Sequence, residues 1–487
     1  MLDLSKIDLG KDEAEQDERL KEYFLKTTSY NNALTGKKTI IVGRKGSGKS
    51  AIFTLVQEEL ESQGAIVIAI TPNEYHWKML IDYKEQGISG IQAHINVWKA
   101  TLLFSTIRQL FEKGKIHQSS ELPKYYKYTR DAEYDISQEN HLESILDYAK
   151  KFISGIKING SGIDLKQGHT PIPTNLISKL INCLTTEWTN YTDWDDQKPP
   201  LVRIVIDRLD DNWDASSDSK DLIIGLLKAA NELNRIFNDK ILTTIFLRSD
   251  IYDCLYFNDQ DKLRQYEEIL IWDNDELKNV ICERVKVSLD VQNNDNQVIW
   301  NQLFSTQSYR SKASAEKYII DRTFKRPRDI ISFIRFALEY AVENKSQCIE
   351  NKDTRLAEEK KYSHSKYKDL IIEYQKQIPY IKDLLDLFSG SLHRQSKQEI
   401  ETLINGFTNK REVQLSSNQL IVQLFIWGVI GIKRQGGASV NRRGGTHFCY
   451  YYEDPSIQPL RFDEYFIHPS LRHVLSISER RERNDIA

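Results

Sequence analysis

A glycine-rich turn between a hydrophobic strand and the start of a helix constrains this chain more than any other feature. Residues 40–51 read I-I-V-G-R-K-G-S-G-K-S-A, and within them residues 43–50 match the pattern G-x-x-x-x-G-K-[ST] at every position. The three glycines let the backbone turn tightly and direct its N–H groups at phosphate oxygens, with a helix N-terminus behind them. A chance glycine-rich turn is the alternative, but the apolar strand at 39–42 and the helical pattern at 50–61 argue against it.

This pattern predicts a phosphate-binding loop. Its residues are Gly43, Arg44, Lys45, Gly46, Ser47, Gly48, Lys49, Ser50 and Ala51. Lys49 is expected to reach the β- and γ-phosphates of a nucleoside triphosphate, and Ser50 is expected to ligate Mg²⁺.

The composition is that of an ordinary soluble protein with two or three domains. The chain has 487 residues, of which 40% are hydrophobic and 28% charged, and a formal net charge of −3. No apolar run approaches the ~20 residues of a membrane span, and the start M-L-D-L-S-K lacks a signal-peptide pattern, so we expect a cytoplasmic location without membrane contact. Five dispersed cysteines argue against a disulfide framework or a zinc site. Because the charge is nearly balanced, nucleic acid would need a local basic patch.

Two later hydrophobic strands end in polar residues suited to the same phosphate site. Residues 201–207 read L-V-R-I-V-I-D, and we expect Asp207 to hold Mg²⁺ from the tip of a strand adjacent to the loop's own strand. The strand at 240–247 is followed by Arg248. This cation can contact the γ-phosphate or form an ordinary surface ion pair with Asp250 or Asp253, and the sequence leaves both open.

The patterns divide the chain into five segments. These are an N-terminal helical segment at 1–38, a core at 39–270, a helical lid at 271–345, a polar linker or solvated helix at 346–366, and a winged-helix-like domain at 367–487. Within the first segment we expect a helix at 10–28. The core carries an insertion at about 114–198, in which we expect a helix at 138–152 and a hairpin at 156–165.

Two segments carry basic residues with open roles. Arg328 follows Pro327 at a helix start, where a cation opposes the helix dipole unless a phosphate faces it. Arg322 and Arg326 are open between an arginine finger toward a neighbouring subunit and ion pairing within the lid. In the C-terminal domain, a two-stranded ribbon with a Gly/Arg tip carries four possible DNA or RNA contacts: Lys433, Arg434, Arg442 and Arg443. A solvated hairpin or a protein-docking module is the alternative there.

Together these residues resemble a family. The glycine-rich loop, the run I-D-R-L-D-D-N-W at 206–213, the F-L-R-S-D tip at 246–250 and R-P-R-D at 326–329 are similar to bacterial P-loop ATPases of the D-x-L-D-D-x-W type, akin to the STAND and origin-recognition branches of the AAA+ superfamily. The resemblance implies an α/β, five-stranded ASCE-type parallel core with a helical lid and a C-terminal winged helix, and ATP with Mg²⁺ as cofactors. It also implies Arg248 as sensor 1, Arg328 as sensor 2, a homo-oligomer, and a role in stress or antiphage defence with a separate effector protein.

One departure from the family pattern concerns catalysis. Arg208 stands directly after Asp207, where the family carries an acid, so the proton acceptor is expected to be Asp210, Asp211 or a more distant carboxylate. The predicted catalytic set is Lys49, Asp207, Asp210, Asp211, Arg248 and Arg328. We therefore predict a slow ATPase that works as a nucleotide-dependent switch. The alternatives are a nucleic-acid-binding protein that acts through its winged helix, and a scaffold with a degenerate nucleotide site.

Overall fold

The computed structural model of the protein describes residues 2–72, 90–117, 120–126, 157–158, 163–164, 174–194, 201–211, 213–291, 295–309, 313–411, 413, 415–434 and 447–478. These residues belong to two compact units. The first comprises Met1–Leu25, Lys45–Gly48 and Ile271–Ala487, and the second comprises Lys26–Arg44 and Lys49–Leu270. Within the ranges just given, no helix combines the length and the apolar character needed to cross a bilayer.

The second unit is built on a five-stranded parallel sheet. The strands of this unit are β1 (Ile40–Gly43), β2 (Ile66–Ile70), the hairpin strands β3 (Lys157–Ile158) and β4 (Ile163–Asp164), β5 (Val202–Ile206), β6 (Ile241–Arg248) and β7 (Glu267–Ile269). The order in the sheet is β2-β5-β6-β1-β7, and all four pairings are parallel. This arrangement confirms the predicted α/β class with its five-stranded core.

The expected position of the Asp207 strand was wrong. Strand β6 lies between β1 and β5, so that Phe246 pairs with Ile41 and Thr243 pairs with Ile204. Strands β1, β5 and β6 are all apolar and largely buried, and an apolar pattern alone does not distinguish which two are neighbours. Asp207 therefore reaches the glycine-rich loop from two strands away.

The described α-helices before residue 253 lie in the same unit as this sheet, apart from the first of them. In chain order they are α1 (Leu20–Tyr23, in the first unit), α2 (Thr28–Thr35), α3 (Lys49–Ser62), α4 (Ile91–Glu112), α5 (Pro123–Tyr126), α6 (Thr174–Trp194), α7 (Ser217–Phe237) and α8 (Ser249–Tyr252). Helix α7 begins at Ser217 because Ser216 caps it by accepting the Ser219 N–H at 3.1 Å. Helix α4 lies close to α7: a Cβ on Gly225 would be 2.6 Å from the Cβ of His94.

The first unit contains the lid and the C-terminal region. Its helices are α9 (Asn274–Ser288), α10 (Asn296–Leu303), α11 (Ala315–Ile320), α12 (Pro327–Glu343), α13 (Asn351–Ala357), α14 (Ser363–Tyr374), α15 (Ile381–Asp386), α16 (Lys397–Lys410) and α17 (Ser417–Ile426). Its strands are β8 (Arg394–Ser396), β9 (Ile430–Arg434), β10 (His447–Cys449) and β11 (Glu464–Ile467). They form an antiparallel sheet in the order β10-β9-β11-β8.

The segment predicted as a polar linker or solvated helix at 346–366 is helical from residue 351 onward. Helix α13, the π-helical turn Glu358–Tyr362 and α14 follow one another without a break. The polar side chains here are buried in ion pairs: Glu358 accepts from Arg322 Nε at 2.8 Å, and Lys366 Nζ lies 2.7 Å from Asp329 Oδ1. Composition alone indicated solvent exposure because it does not show whether a charge finds a buried partner.

The N-terminal helix predicted at 10–28 is largely absent. Gly10 has a φ of +75°, and the segment forms only the 3-10 turn Ala14–Gln16 and the four-residue α1 before residue 25. Tertiary contacts within the first unit hold it instead. The guanidinium of Arg284 lies 4.1 Å above the Tyr23 ring, and its Nη1 is 3.4 Å from Asp17 Oδ2.

The C-terminal ribbon is half of a larger sheet. Strand β11 pairs with β9 on one side and with β8 on the other, so the predicted two-stranded ribbon belongs to a four-stranded sheet. Its tip, with Arg442 and Arg443, lies outside the described residues. The predicted helix at 138–152 also lies outside them, whereas the strands of the predicted hairpin do pair, Lys157 with Asp164 and Ile158 with Ile163.

Candidate nucleotide site

The glycine-rich loop connects β1 to the first residue of α3. Gly46 and Gly48 have φ values of +79° and +96°, in the left-handed region that favours glycine. These two residues therefore allow a turn that other residue types would strain. The free N–H groups of the α3 N-terminus follow immediately, which is the arrangement that binds phosphate.

Lys49 is buried at the start of α3. Its Nζ donates to the carbonyl oxygen of Gly43 at 3.0 Å and to that of Arg44 at 3.2 Å. Burial lowers the pKa of Lys49, and the carboxylates of Asp210 and Asp207 partly oppose that shift. A buried cation surrounded by the loop's own carbonyls is well placed to take phosphate oxygens as additional partners.

Ser50 and Asp207 meet directly. The hydroxyl of Ser50 donates to Asp207 Oδ2 at 3.0 Å, although 157 positions separate the two residues. Asp207 follows β5, is buried, and donates its N–H to the carbonyl of Ile70 at 3.2 Å. Burial raises the pKa of Asp207, and Lys49 opposes that rise. A hydroxyl and a carboxylate oxygen at this distance are the hard oxygen ligands that Mg²⁺ takes, so these two residues fit the ion.

The chain turns sharply after Asp207. Arg208 has a φ of +62°, and the Asp211 N–H donates to the Arg208 carbonyl at 3.4 Å. The turn brings Asp210 Oδ2 within 3.4 Å of Arg248 Nη1. Of the two acids proposed as proton acceptor, the structure therefore places Asp210 beside a second predicted site residue.

Arg248 is buried at the end of β6. Its Nη2 lies 2.7 Å from Asp250 Oδ2 and its Nε donates to Asp250 Oδ1 at 2.9 Å. Of the two predicted roles, the ion pair with Asp250 is formed. It is not a surface pair, because Arg248 is only 6% exposed. The same guanidinium also contacts Asp210, so the pairing does not remove Arg248 from the site.

Lid residues of the first unit contact the loop tip Lys45–Gly48. The Arg328 N–H donates to the Gly46 carbonyl at 3.3 Å, and the Trp272 indole N–H donates to the Ser47 carbonyl at 2.9 Å. Arg326 Nη1 donates to the Lys45 carbonyl. The sequence did not single out Trp272 as a site residue, and it offered Arg326 as an arginine finger or a lid ion-pairing residue but not as a contact of the loop tip.

Two polar groups at this tip are without partners in the described part of the chain. The buried Ser47 hydroxyl has no hydrogen bond there. No ion pair or hydrogen bond is formed by the Arg328 guanidinium with any described residue, although its side chain lies against Gly46. Arg322 and Arg326, by contrast, are engaged in lid ion pairs with Glu358 and Asp329 at 2.8 and 3.0 Å.

The predicted nucleic-acid contacts are only partly described. Lys433 and Arg434 lie on β9, and Arg434 Nη1 is 2.8 Å from Asp454 Oδ2. Arg442 and Arg443 are outside the described residues, as noted above. Of the four cations, only Lys433 and Arg434 belong to the described residues.

Comparisons with known proteins give one family match and one long relative. A family model described as the FunZ-associated C-terminal helical domain matches residues 275–371, which run from α9 into α14. The chain is also 26% identical, over 510 aligned residues, to an 80.3 kDa protein of Escherichia coli K12 named for the transposon gamma-delta. That alignment covers 98% of this chain and 69% of the relative.

Among solved structures, the chain is similar to the Aeropyrum pernix ORC1 protein in complex with DNA, at 11% identity and a TM-score of 0.38, with 90% of this chain and 91% of that chain covered. It is also similar to CDC6P from Pyrobaculum aerophilum, at 11% identity and a TM-score of 0.30, with 89% and 92% covered. Because both scores are below 0.5, the fold assignment rests on the sheet order and the glycine-rich loop described above.

Proposed function

We propose that this protein binds ATP with Mg²⁺, hydrolyses it slowly, and acts as a nucleotide-dependent molecular switch that controls assembly or partner engagement. The observation that carries the proposal is the 3.0 Å hydrogen bond between Ser50 and Asp207 at the start of the helix that also carries the buried Lys49. A phosphate-binding cation and two oxygen ligands for a divalent ion are thereby brought to one end of the parallel sheet.

Each part of the chain has a separate task in this proposal. The loop from Gly43 to Ala51 binds the phosphates through its N–H groups, and Lys49 neutralises their charge. Ser50 and Asp207 hold Mg²⁺, which, when bound, adds positive charge at the phosphate oxygens. Arg328 contacts a phosphate oxygen, which would give its guanidinium a partner at the loop tip, and this is the role of sensor 2. Arg248 serves as sensor 1.

Slow turnover follows from the residues after Asp207. Arg208 cannot accept a proton from the attacking water. Asp210 is the better placed of the two acids, because its carboxylate lies beside Arg248. Since that carboxylate is already engaged, accepting a proton requires the ion pair to loosen. A site of this kind holds ATP for longer than a fast motor does, which suits a switch akin to the STAND proteins.

Lys49→Ala is the first test of ATP binding. We expect its affinity for ATP to fall by about a hundredfold, because a charged hydrogen-bond donor to phosphate contributes about 1.5–3 kcal/mol. Calorimetric titration of the full chain with MgATP measures this. Lys38→Ala is the matched control, since Lys38 lies just before β1 and its Nζ contacts the carbonyl of Gln265. Unchanged ATP binding by Lys49→Ala would sink the proposal.

Phosphate release distinguishes the switch from a scaffold with a degenerate site. The switch predicts slow phosphate release that is lost in Asp207→Ala, whereas the scaffold predicts no phosphate release in the parent protein.

The proposal extends to a role in stress or antiphage defence with a separate effector protein, and this extension rests only on the family resemblance.

Nucleic-acid binding is the second candidate function. The succession of α16, α17 and the antiparallel pair β9–β10 is the order of a winged helix, and Lys433 lies on the first strand of that pair. The engagement of Arg434 with Asp454 weakens the predicted basic patch. We therefore favour the nucleotide switch.

A further inference from the structure

A buried charge cluster lies in the turn between α11 and α12. Arg326 and Asp329 are 3% and 2% exposed, and Arg326 Nε lies 3.0 Å from Asp329 Oδ1. Asp329 Oδ2 also accepts the Phe324 N–H at 3.0 Å, which closes the turn. Arg326 is thus held rigidly at the first residues of α12 while its Nη1 donates to the Lys45 carbonyl of the loop tip.

The same cluster includes two residues of α14. Lys366 Nζ lies 2.7 Å from Asp329 Oδ1, and Glu373 Oε2 lies 3.6 Å from Arg326 Nη1. Lys366 and Glu373 are seven positions apart, so they lie on one face of the helix two turns from each other. The buried members are two cations and two anions, and the partly exposed carboxylate of Asp369 lies 3.7 Å from Lys366 Nζ.

An aromatic contact joins the turn to the C-terminal core. The Phe324 ring is fully buried within the core that α14 to α17 and the antiparallel sheet form. It meets the His468 ring edge to face at 4.5 Å, and Lys366 Nζ lies 4.9 Å from its centroid. The turn therefore has its own hydrophobic anchor in the C-terminal domain, next to the charge cluster.

Four buried charges are a costly way to join two helices. Removing these charges from water costs much of the free energy that their attraction supplies, and well-packed apolar residues often stabilise a fold equally well. We therefore take the cluster to specify one packing arrangement of α12 and α14 rather than to add stability. In this protein the cluster is linked directly to the phosphate loop, because Arg326 extends from the cluster to the backbone carbonyl of Lys45.

We propose that Arg326 is a positioning residue that sets the conformation of the loop tip Lys45–Gly48 together with that of helix α14, through Asp329, Lys366 and Glu373. A nucleotide that rearranges the loop tip then changes the packing of α14, and the C-terminal domain responds. This inference rests on the proposed binding of ATP, and it identifies the residues that transmit a change at the loop tip to helix α14; we call these residues the path.

Hydrogen–deuterium exchange of the full chain tests the path, with AMP-PNP as the bound nucleotide. In the parent we expect AMP-PNP to slow exchange both in peptides that cover 45–48 and in peptides that cover 363–374. Arg326→Lys keeps the positive charge but lacks the planar guanidinium that donates to the Lys45 carbonyl and to Asp329 at the same time. We expect it to raise the Kd for AMP-PNP about tenfold, as for one lost charged hydrogen bond. At saturating AMP-PNP, the slowing of exchange at 363–374 should be about half or less of that in the parent, because the coupling between the loop tip and α14 is weakened.

A second variant and a matched control separate the path from general loss of stability. Glu373→Gln leaves the loop contact in place, so we expect Kd to change by less than about twofold while the response at 363–374 falls. Arg322→Lys makes the same substitution in an arginine that pairs with Glu358 in the same lid, and it should leave both readouts unchanged.

The outcomes distinguish this proposal from the one on which it rests. A parental response at 363–374 in Arg326→Lys would overturn the path, as would a parent that binds AMP-PNP without any response there. If the parent failed to bind AMP-PNP, ATP binding and the path would fall together. Binding with a response that Arg326→Lys and Glu373→Gln both diminish supports the path.

Discussion

Arg208 lies directly after Asp207 with a left-handed backbone, and its guanidinium cannot accept a proton from water. The turn that begins there changes which acid is available. It carries Asp210 to within 3.4 Å of Arg248, so the acid beside that arginine is the third residue after Asp207. At the scale of single residues, the chemistry of the site depends on this turn as much as on residue type.

Asp210 and Asp211 can be compared directly because their substitutions to asparagine are alike. We expect Asp210→Asn to lower the rate of phosphate release at saturating ATP about a hundredfold, since a positioned general base contributes on the order of 10²–10⁴. Asp211→Asn should change the rate by less than about twofold, as is usual for a side chain that takes no part in proton transfer. A larger loss in Asp211→Asn would assign the base to that residue.

The glycine-rich loop and helix α12 are the elements that meet at the loop tip. Gly46 has a left-handed backbone, and its α-carbon lies against the Arg328 side chain, so that a Cβ there would come within 2.9 Å of the Arg328 Cβ. The N–H of Arg328 bonds to the carbonyl of the same glycine. Backbone conformation and close packing therefore both require glycine at this point.

Gly46→Ala should be more damaging than a substitution at a glycine with only one of these constraints. We expect it to lower the free energy of unfolding by about 1–3 kcal/mol and to weaken ATP binding, because it strains φ and displaces Arg328. Gly390→Ala is the control: Gly390 has a φ of +71° with no atom near the Cβ position. Thermal unfolding and ATP titration of both variants measure the difference. Equal effects would mean that contact with Arg328 is unimportant.

At the scale of the whole molecule, the phosphate loop belongs to both compact units. The chain leaves the second unit after Arg44 and returns to it at Lys49, while the tip between them packs with lid residues of the first unit. The polypeptide therefore passes between the two units twice within this loop.

Mass photometry of the full chain tests whether that switch controls assembly. We expect the distribution of molecular masses to differ between ATP, ADP and no nucleotide, because a ligand shifts an equilibrium in proportion to its preference for one state. Lys49→Ala should show the same distribution in all three conditions. If the parent did so as well, assembly would not be what the nucleotide controls, and partner engagement would be the remaining form of the switch.

The nucleotide loop, the acid-ended strand and the α/β class were all predictable from the sequence by itself. The spacing of Gly43, Gly46 and Gly48 is a local requirement of a phosphate turn, and apolar runs such as 201–206 must be buried wherever they lie in the sheet. The helix that follows the loop was predicted for the same reason, since apolar periodicity acts over a few residues.

Only the tertiary structure decided which distant residues became neighbours. The insertion of β6 between β1 and β5, the burial of Lys366 against Asp329, and the contact of Arg326 with Lys45 all join residues that lie 30 or more positions apart. Their physical cause is long-range packing and charge pairing, which composition cannot report. A lysine-rich and glutamate-rich stretch has the same composition whether its charges face water or one another, so the burial of these charges was not predictable from the sequence.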